Sequence, residues 1–434
     1  MNMKKVYFSM FFFGLMFLSG SIFAQAVKIS AELRPRFEFR NGYKQLIPEG
    51  KDAASFISQR TRLNAFYANS NFKVKISLQD VRVWGDVNQL NKNDVYGPSI
   101  HEAWGEVLFS EKFSIKFGRQ EIIYDDHRIF GSVGWAQQAR SHDAAILKFK
   151  PSKNHKVDLG LAYNSVGETL YKTDYLGMKN YKALQFIHYH GKFNKFSLSV
   201  LELYNGLAYD ANKDLETVEE KIAWSLTIGP RVSFKGDKLK ANAAIYYQGG
   251  KNGSNKNLSA IYLAGDFNIS IVKNFTFGLG AEYLSGTASK DKGIEDDKSF
   301  TPFYGTNHKF NGWMDYFYVG NHGGNVGLTD IYLPLKLNYN KWSFGLIPHY
   351  FMSAAKVSEI DPRTNRWKDY SNGLGTEIDF TVGYTMSKAV KLQAGYSQMF
   401  ATETMQIIKG GDYKNTNNWA WVMITFKPTF FEKK

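Results

Sequence analysis

Residues 28–40 read KISAELRPRFEFR. In an extended chain, successive side chains point to opposite faces. Ile29, Ala31, Leu33, Pro35, Phe37 and Phe39 therefore share one face, and Ser30, Glu32, Arg34, Arg36, Glu38 and Arg40 share the other. One face belongs in hydrocarbon and the other in water. A soluble sheet can carry such a strand, but here the alternation recurs along the chain behind an apparent leader. That leader has Lys4 and Lys5, an apolar run from Val6 to Leu18, then Ser21-Ile22-Phe23-Ala24. The run is short for a span and small residues follow it, so 1–24 reads as a secretory signal peptide and 25–434 as one domain.

No later apolar run is long enough for a spanning helix. The chain has no cysteine, which excludes a lipid-modified N-terminal Cys, disulfides and thiolate metal sites. A soluble chain of 434 residues would suggest two or three domains, yet no linker or change of texture divides it. Aromatic residues make up 16%, with 26 Tyr, as expected of girdles at two membrane interfaces. The formal charge is +14, but no basic stripe follows a helix, so nucleic acid is not an expected partner.

Alternation over eight or more residues marks 18 strands, near 28–40, 57–69, 72–84, 101–109, 112–120, 139–149, 155–164, 181–190, 194–204, 221–235, 238–248, 257–271, 274–285, 326–339, 341–352, 373–386, 389–399 and 417–427. Their connections alternate short and long. Ser70-Asn71, Gly236-Asp237 and Ser387-Lys388 are short, whereas 41–56, 121–138, 286–325 and 400–416 are long. Outer-membrane barrels have short periplasmic turns, long extracellular loops and an even strand number. The fold expected is therefore all-β: a single transmembrane antiparallel β-barrel of 18 strands in a Gram-negative outer membrane. Both termini would lie in the periplasm, and lipid and lipopolysaccharide would surround the barrel. The run Trp419 to Phe426 has the build of a closing strand that the barrel-assembly machinery recognises, with Lys427 to Lys434 as a loose tail. A monomer is expected.

The phase of the first strand is fixed by energy. Turned inside out, it would set Glu32, Arg34, Arg36, Glu38 and Arg40 against acyl chains. Arg or Lys at the midplane costs on the order of 2–4 kcal/mol each, so the wrong phase costs roughly 10 kcal/mol, comparable with a domain's net stability. The charged face therefore lines the lumen. Pro35 on the other face lacks a ladder N–H and suggests a bulge.

Nine of the 12 arginines fall early: Arg34, Arg36, Arg40, Arg60, Arg62, Arg82, Arg119, Arg128 and Arg140. With Lys73, Lys75 and Lys116 they form the candidate pore lining, alongside the acids Glu32, Glu38, Glu102 and Glu106. A barrel of 16–18 strands leaves an aqueous channel, and rings of Arg and Lys select anions. Arginine keeps its charge and offers a planar fork to carboxylate or phosphate. The expected function is passive passage of anionic solutes. The competing reading is that these arginines hold loops and balance the inner carboxylates.

The segment from Gly118 to Asp143, GRQEIIYDDHRIFGSVGWAQQARSHD, resembles the alginate-export family of outer-membrane channels. Leu33 to Glu38, Gln79 to Asp86 and Trp421 to Lys427 resemble it too. The resemblance implies an 18-stranded barrel with an electropositive lumen passing an acidic polysaccharide. Acidic poly- or oligosaccharides such as alginate thus become candidate solutes. The 286–325 loop would fold into the lumen or cap it.

No cofactor is implied by any motif. Asp125-Asp126-His127 could hold a metal or pair with Arg128 or Arg119, and His188 and His190 share a strand face. Neither set has a spaced partner, so no metal site is assigned. Gly320 to Gly327 lacks the Lys-Ser/Thr of a phosphate loop, and no G-x-S-x-G elbow occurs. The alternatives are an outer-membrane barrel enzyme of lipase or protease type, and a loop-based receptor or adhesin.

Overall fold

The structure, a computed structural model, describes residues 25–90, 97–177, 180–212, 217–293, 296–318 and 325–433. The leader lies outside these residues. The strands are β1 Ala26–Asn41, β2 Ala54–Ala68, β3 Phe72–Val83, β4 Ser99–Leu108, β5 Phe113–Gln120, β6 His142–Ser152, β7 His155–Tyr163, β8 Ala183–Phe193 and β9 Phe196–Asp210. They continue as β10 Glu220–Lys235, β11 Leu239–Lys251, β12 Asn257–Val272 and β13 Phe275–Leu284. β14 comprises Leu328–Tyr332 and Leu335–Tyr339, broken at Pro334. β15 Trp342–Met352, β16 Gly373–Thr385 and β17 Val390–Ala401 follow, and β18 comprises Asn417–Phe426 and Thr429–Lys433, broken at Pro428. Proline has no N–H to give the ladder, which accounts for both breaks.

Each strand pairs antiparallel with its neighbours, and β1 pairs with β18, so the sheet closes as an 18-stranded barrel. Closure leaves no edge, as a membrane requires. All 18 strands read from the sequence are present. Two details differ from expectation. The tail is not loose: Lys433, Glu432 and Phe431 pair with Val27, Lys28 and Ile29, which extends the closing strand. Pro35 makes no bulge; the register of β1 on β2 runs unbroken through Pro35↔Gln59. The irregularity lies instead between Ile29 and Ser30, beside the Pro428 break.

Turns of a few residues gather at one end, such as 69–71 and 236–238, and long connections at the other. Phe37, Leu63, Ile76, Phe117, Leu159, Ile245, Leu263, Phe380 and Val422 are exposed on the outer wall. The register also turns Glu202 of β9 outward, between Ile187 and Ile228.

Two long connections turn inward. Residues 121–141 and 285–327 meet each other inside the barrel through a parallel bridge, Phe130↔Tyr304. Gly131 donates its N–H to the Tyr304 carbonyl at 2.9 Å, and Thr306 donates to that of His127 at 2.9 Å. The buried apolar cluster is built on these loops, with Ile129, Phe130, Phe300, Phe303, Met314 and Tyr316 packed against inward side chains such as Phe186, Leu203, Tyr262 and Trp419. Of the two fates read for the 286–325 loop, entry into the lumen is the one observed. At the long-loop end the 353–372 connection forms a small hairpin, Ser358–Asp361 with Arg366–Asp369, and the last connection carries a helix α1, Glu403–Lys409.

Candidate functional site

The first inner loop is held by the arginines of β1 and β2. Residues 133–139 form successive turns, closed by Ala136 N–H to Val133 O (3.1 Å) and Ala139 N–H to Ala136 O (3.2 Å). Turns of this kind leave neighbouring carbonyls without backbone partners, and buried carbonyls need a donor. Arg34 supplies donors to the Gly134 and Trp135 carbonyls at 2.8 and 3.0 Å and to Gln137 Oε1 at 2.9 Å. Arg36 donates to the Trp135 carbonyl at 2.8 Å and lies 4.2 Å over the Trp135 ring. Arg60 donates to the Gln137 carbonyl at 3.3 Å. The same three groups face carboxylates: Arg60 meets Glu32 at 2.5 Å, Arg34 meets Glu32 at 3.9 Å, and Arg36 meets Glu38 at 2.8 Å. At 7%, 4% and 3% exposure these arginines are buried beneath the loop.

The second inner loop is held by the acids of β13 to β16. Met314 N–H donates to Glu377 at 2.8 Å and Trp313 N–H to Asp379 at 3.2 Å. Gly312, with φ +79°, allows this approach; a Cβ there would stand 2.6 Å from the Glu377 carboxylate. Asn311 donates to Glu282 at 3.0 Å and to Asp330 at 3.2 Å. Arg128 of the first loop closes the set, donating to Glu282 at 2.8 Å and to Asn311 Oδ1 at 2.9 Å. His349 bonds Asp330 at 2.9 Å.

Two chambers lie on either side of this plug. A vestibule of about 570 Å³ at the long-loop end is lined by Arg36, Arg40, Tyr43, Lys44, Arg140 and Asp315, among others. An inner chamber of about 660 Å³ is lined by Asp126, Arg231, Asp266, Lys309, Lys336 and Gln393, among others. Trp135 and His308 belong to both linings. Their rings stack at 4.7 Å and 13°, so this pair partitions the two chambers. His308 is fixed by Asp315 at 2.6 Å, and Asp315 also accepts from the Tyr43 hydroxyl. Burial works against ionisation of Asp315, but His308, Tyr43 and Lys44 outweigh it and hold its pKa below the ordinary value. Burial, together with Asp315, lifts the Tyr43 hydroxyl well above its ordinary pKa.

The sequence-derived candidates now separate. Arg34, Arg36, Arg60 and Arg62 do point inward, with Arg62 donating to Gln79 at 2.6 Å and lining a third space of about 500 Å³. Lys73 pairs with Glu106 at 3.5 Å, and Lys75 with Glu102. Lys116 sits 4.0 Å over the Trp104 ring. Arg40 borders the vestibule, bound to Glu38 at 2.8 Å and 4.2 Å from the Tyr43 ring.

Three candidates are placed differently from expectation. Arg119 pairs with Asp143 at 2.6 Å on the outer face, because its register partner Ala103 faces outward. Arg82 registers with Gln59, opposite in phase to Arg60 and Arg62, and binds Asp80 at 2.7 Å, yet it joins the lining of the vestibule at the end of its strand. Charges are tolerated on the outer face near an interface, where the cost falls to about 0–1 kcal/mol. Arg128 is inside but 1% exposed, enclosed between its loop and Glu282.

Arg140 borders the vestibule. It donates to the Gly305 carbonyl at 3.2 Å and, among the described residues, makes no carboxylate contact; burial lowers its pKa, opposed by Tyr304. Sequence reading missed Lys44, Tyr43, Trp135, His308 and Asp315. Trp135 stands within the family-like segment, but the others lie in connections without alternation. Asp125 and Asp126 pair with the side chains of His188 (3.1 Å) and Arg231 (2.7 Å), and from Arg128 only the backbone N–H reaches Asp126, at 3.1 Å. Among the described residues no set of three metal-ligating side chains converges.

A closed barrel with chambers above and below an in-folded constriction defines an outer-membrane channel. The family model described as alginate export matches residues 25–418. The chain therefore belongs to the alginate export family. No curated protein matches it. Among solved structures it resembles Acinetobacter baumannii OccAB3 (TM-score 0.60, 13% identity, 93% of this chain and 99% of that one). It also resembles Pseudomonas aeruginosa OpdK with vanillate (0.59, 8%, 93% and 99%) and Pseudomonas aeruginosa OccK9 (0.59, 11%, 93% and 98%).

Proposed function

We propose that this protein is a passive, narrow channel for small anionic solutes, acidic oligosaccharides among them. The long-loop end faces outward, and both termini lie in the periplasm. The observation that carries the reading is the pair Lys44 and Arg140. Both border the vestibule, and among the described residues neither forms an ion pair with a carboxylate, unlike Arg36 and Arg40, which share Glu38. An anion entering the vestibule thus meets two cations that it need not pull from an ion pair. Each solvated pair is worth about 0.2–1 kcal/mol, enough to enrich an anion and weak enough to release it. The vanillate in the OpdK structure is itself a carboxylate, which favours small acids as solutes.

The test is the reversal potential of the full barrel in a planar bilayer under a salt gradient. Lys44→Gln with Arg140→Gln should lower the anion-to-cation permeability ratio severalfold with the fold retained. An unchanged ratio would remove these residues from the selectivity assignment.

A further inference from the structure

The helix α1 ends in Lys409 at the long-loop end, in the lining of a cleft that shares no residue with the linings of the two chambers. Three carboxylates of these connections already have partners among the described residues. Glu403 takes Lys368 at 3.1 Å, Asp369 takes Lys290 at 2.8 Å, and Glu359 accepts from the Tyr370 hydroxyl at 3.1 Å. Among the described residues Lys409 has no hydrogen bond or ion pair; its ammonium lies 5.3 Å from the Phe317 ring centre. Burial pushes its pKa down to about 8. An ammonium withdrawn from water without a counter-ion is costly, and a cation–π contact offsets only about 0.5–2 kcal/mol.

The amine borders a cleft of about 330 Å³ between the second inner loop, the small hairpin and α1. Its lining combines apolar Phe317, Val326 and Ile408 with polar Ser289, Lys292 and Glu359. Binding pockets typically combine such apolar lining with a few placed polar groups. We infer that this cleft is a second binding site, separate from the conduction path, for a small organic carboxylate with an apolar ring. The carboxylate meets Lys409 and the ring lies against Phe317 and Ile408. Glu359 in the same lining disfavours a second negative charge.

Benzoate is the probe, with galacturonate as the polar-ring comparison. The full barrel, folded in detergent, is reductively methylated with ¹³C-formaldehyde, and the Lys409 signal is assigned by its loss in Lys409→Arg. Benzoate should shift that signal saturably and raise its titration midpoint, whereas galacturonate should bind at least tenfold more weakly. By calorimetry, Lys409→Met should weaken benzoate at least tenfold, while Lys290→Met leaves it unchanged. The inference is overturned by an unmoved Lys409 signal, by equal affinity in wild type and Lys409→Met, or by galacturonate binding as tightly as benzoate. None of these readouts depends on conduction, so the channel proposal stands or falls separately.

Discussion

On the wall of β1 and β2 the loop at 121–141 offers carbonyl oxygens to guanidinium groups, whereas on the wall of β13 to β16 the loop at 285–327 offers N–H groups to carboxylates. Each wall thus matches the half of the peptide group that its loop leaves unpaired. The comparison teaches that charge on a barrel wall is not automatically charge offered to a solute. Arg34, Arg36 and Arg60 are engaged by loop and carboxylate together, while the less conspicuous Lys44 and Arg140 border the vestibule without a carboxylate.

Arg128 bridges the two systems, and its loss should cost most. Arg128→Met leaves Glu282 buried without its cation, so unfolding in guanidinium should show a loss of about 3–5 kcal/mol. A loss below 1 kcal/mol would mean that the two docking systems are not joined through this residue. Next in size, Arg34→Gln with Arg60→Gln should loosen the first loop only. Single-channel conductance and its noise should rise severalfold while the permeability ratio stays near wild type. A collapse of the ratio with unchanged conductance would return these arginines to solute contact and dissolve the contrast with Lys44 and Arg140.

Asp315 gives a milder, pH-dependent effect. Its folded pKa is depressed, so its contribution to stability is present above the unfolded value, near ~4, and is lost as pH falls through the lower folded value. Channel noise should be flat from pH 8 to 5 and rise only below ~4; a rise already at pH 6 would point to another group. For Lys409 the direction is reversed: benzoate affinity should fall as pH rises through about 8. The smallest effect is expected at Glu202. It faces outward between Ile187 and Ile228, with no hydrogen bond or ion pair among the described residues. An acid on the lipid face costs less than the ~2–4 kcal/mol of a basic residue, so Glu202→Leu should stabilise the barrel by about 1 kcal/mol. Destabilisation would show that this wall is covered by something other than lipid.

Strand number, strand order, the inward phase of β1 and β2 and the alternation of short and long connections were all legible from sequence. Each depends on a two-residue period and on the cost of placing charge in hydrocarbon, both of which are local. Arg82 and Arg119 escaped that logic because they stand near the long-loop end, where an outward charge costs little. The in-folding of the loop at 121–141, the choice of lumen over cap for the loop at 286–325, the capping of Arg34 and Arg60 by carbonyls 100 and 77 residues away, and the Trp135–His308 partition were decided by tertiary structure alone. Loop docking is a long-range match between unpaired backbone groups and wall charges, and no periodicity in the chain records which of those charges will be taken.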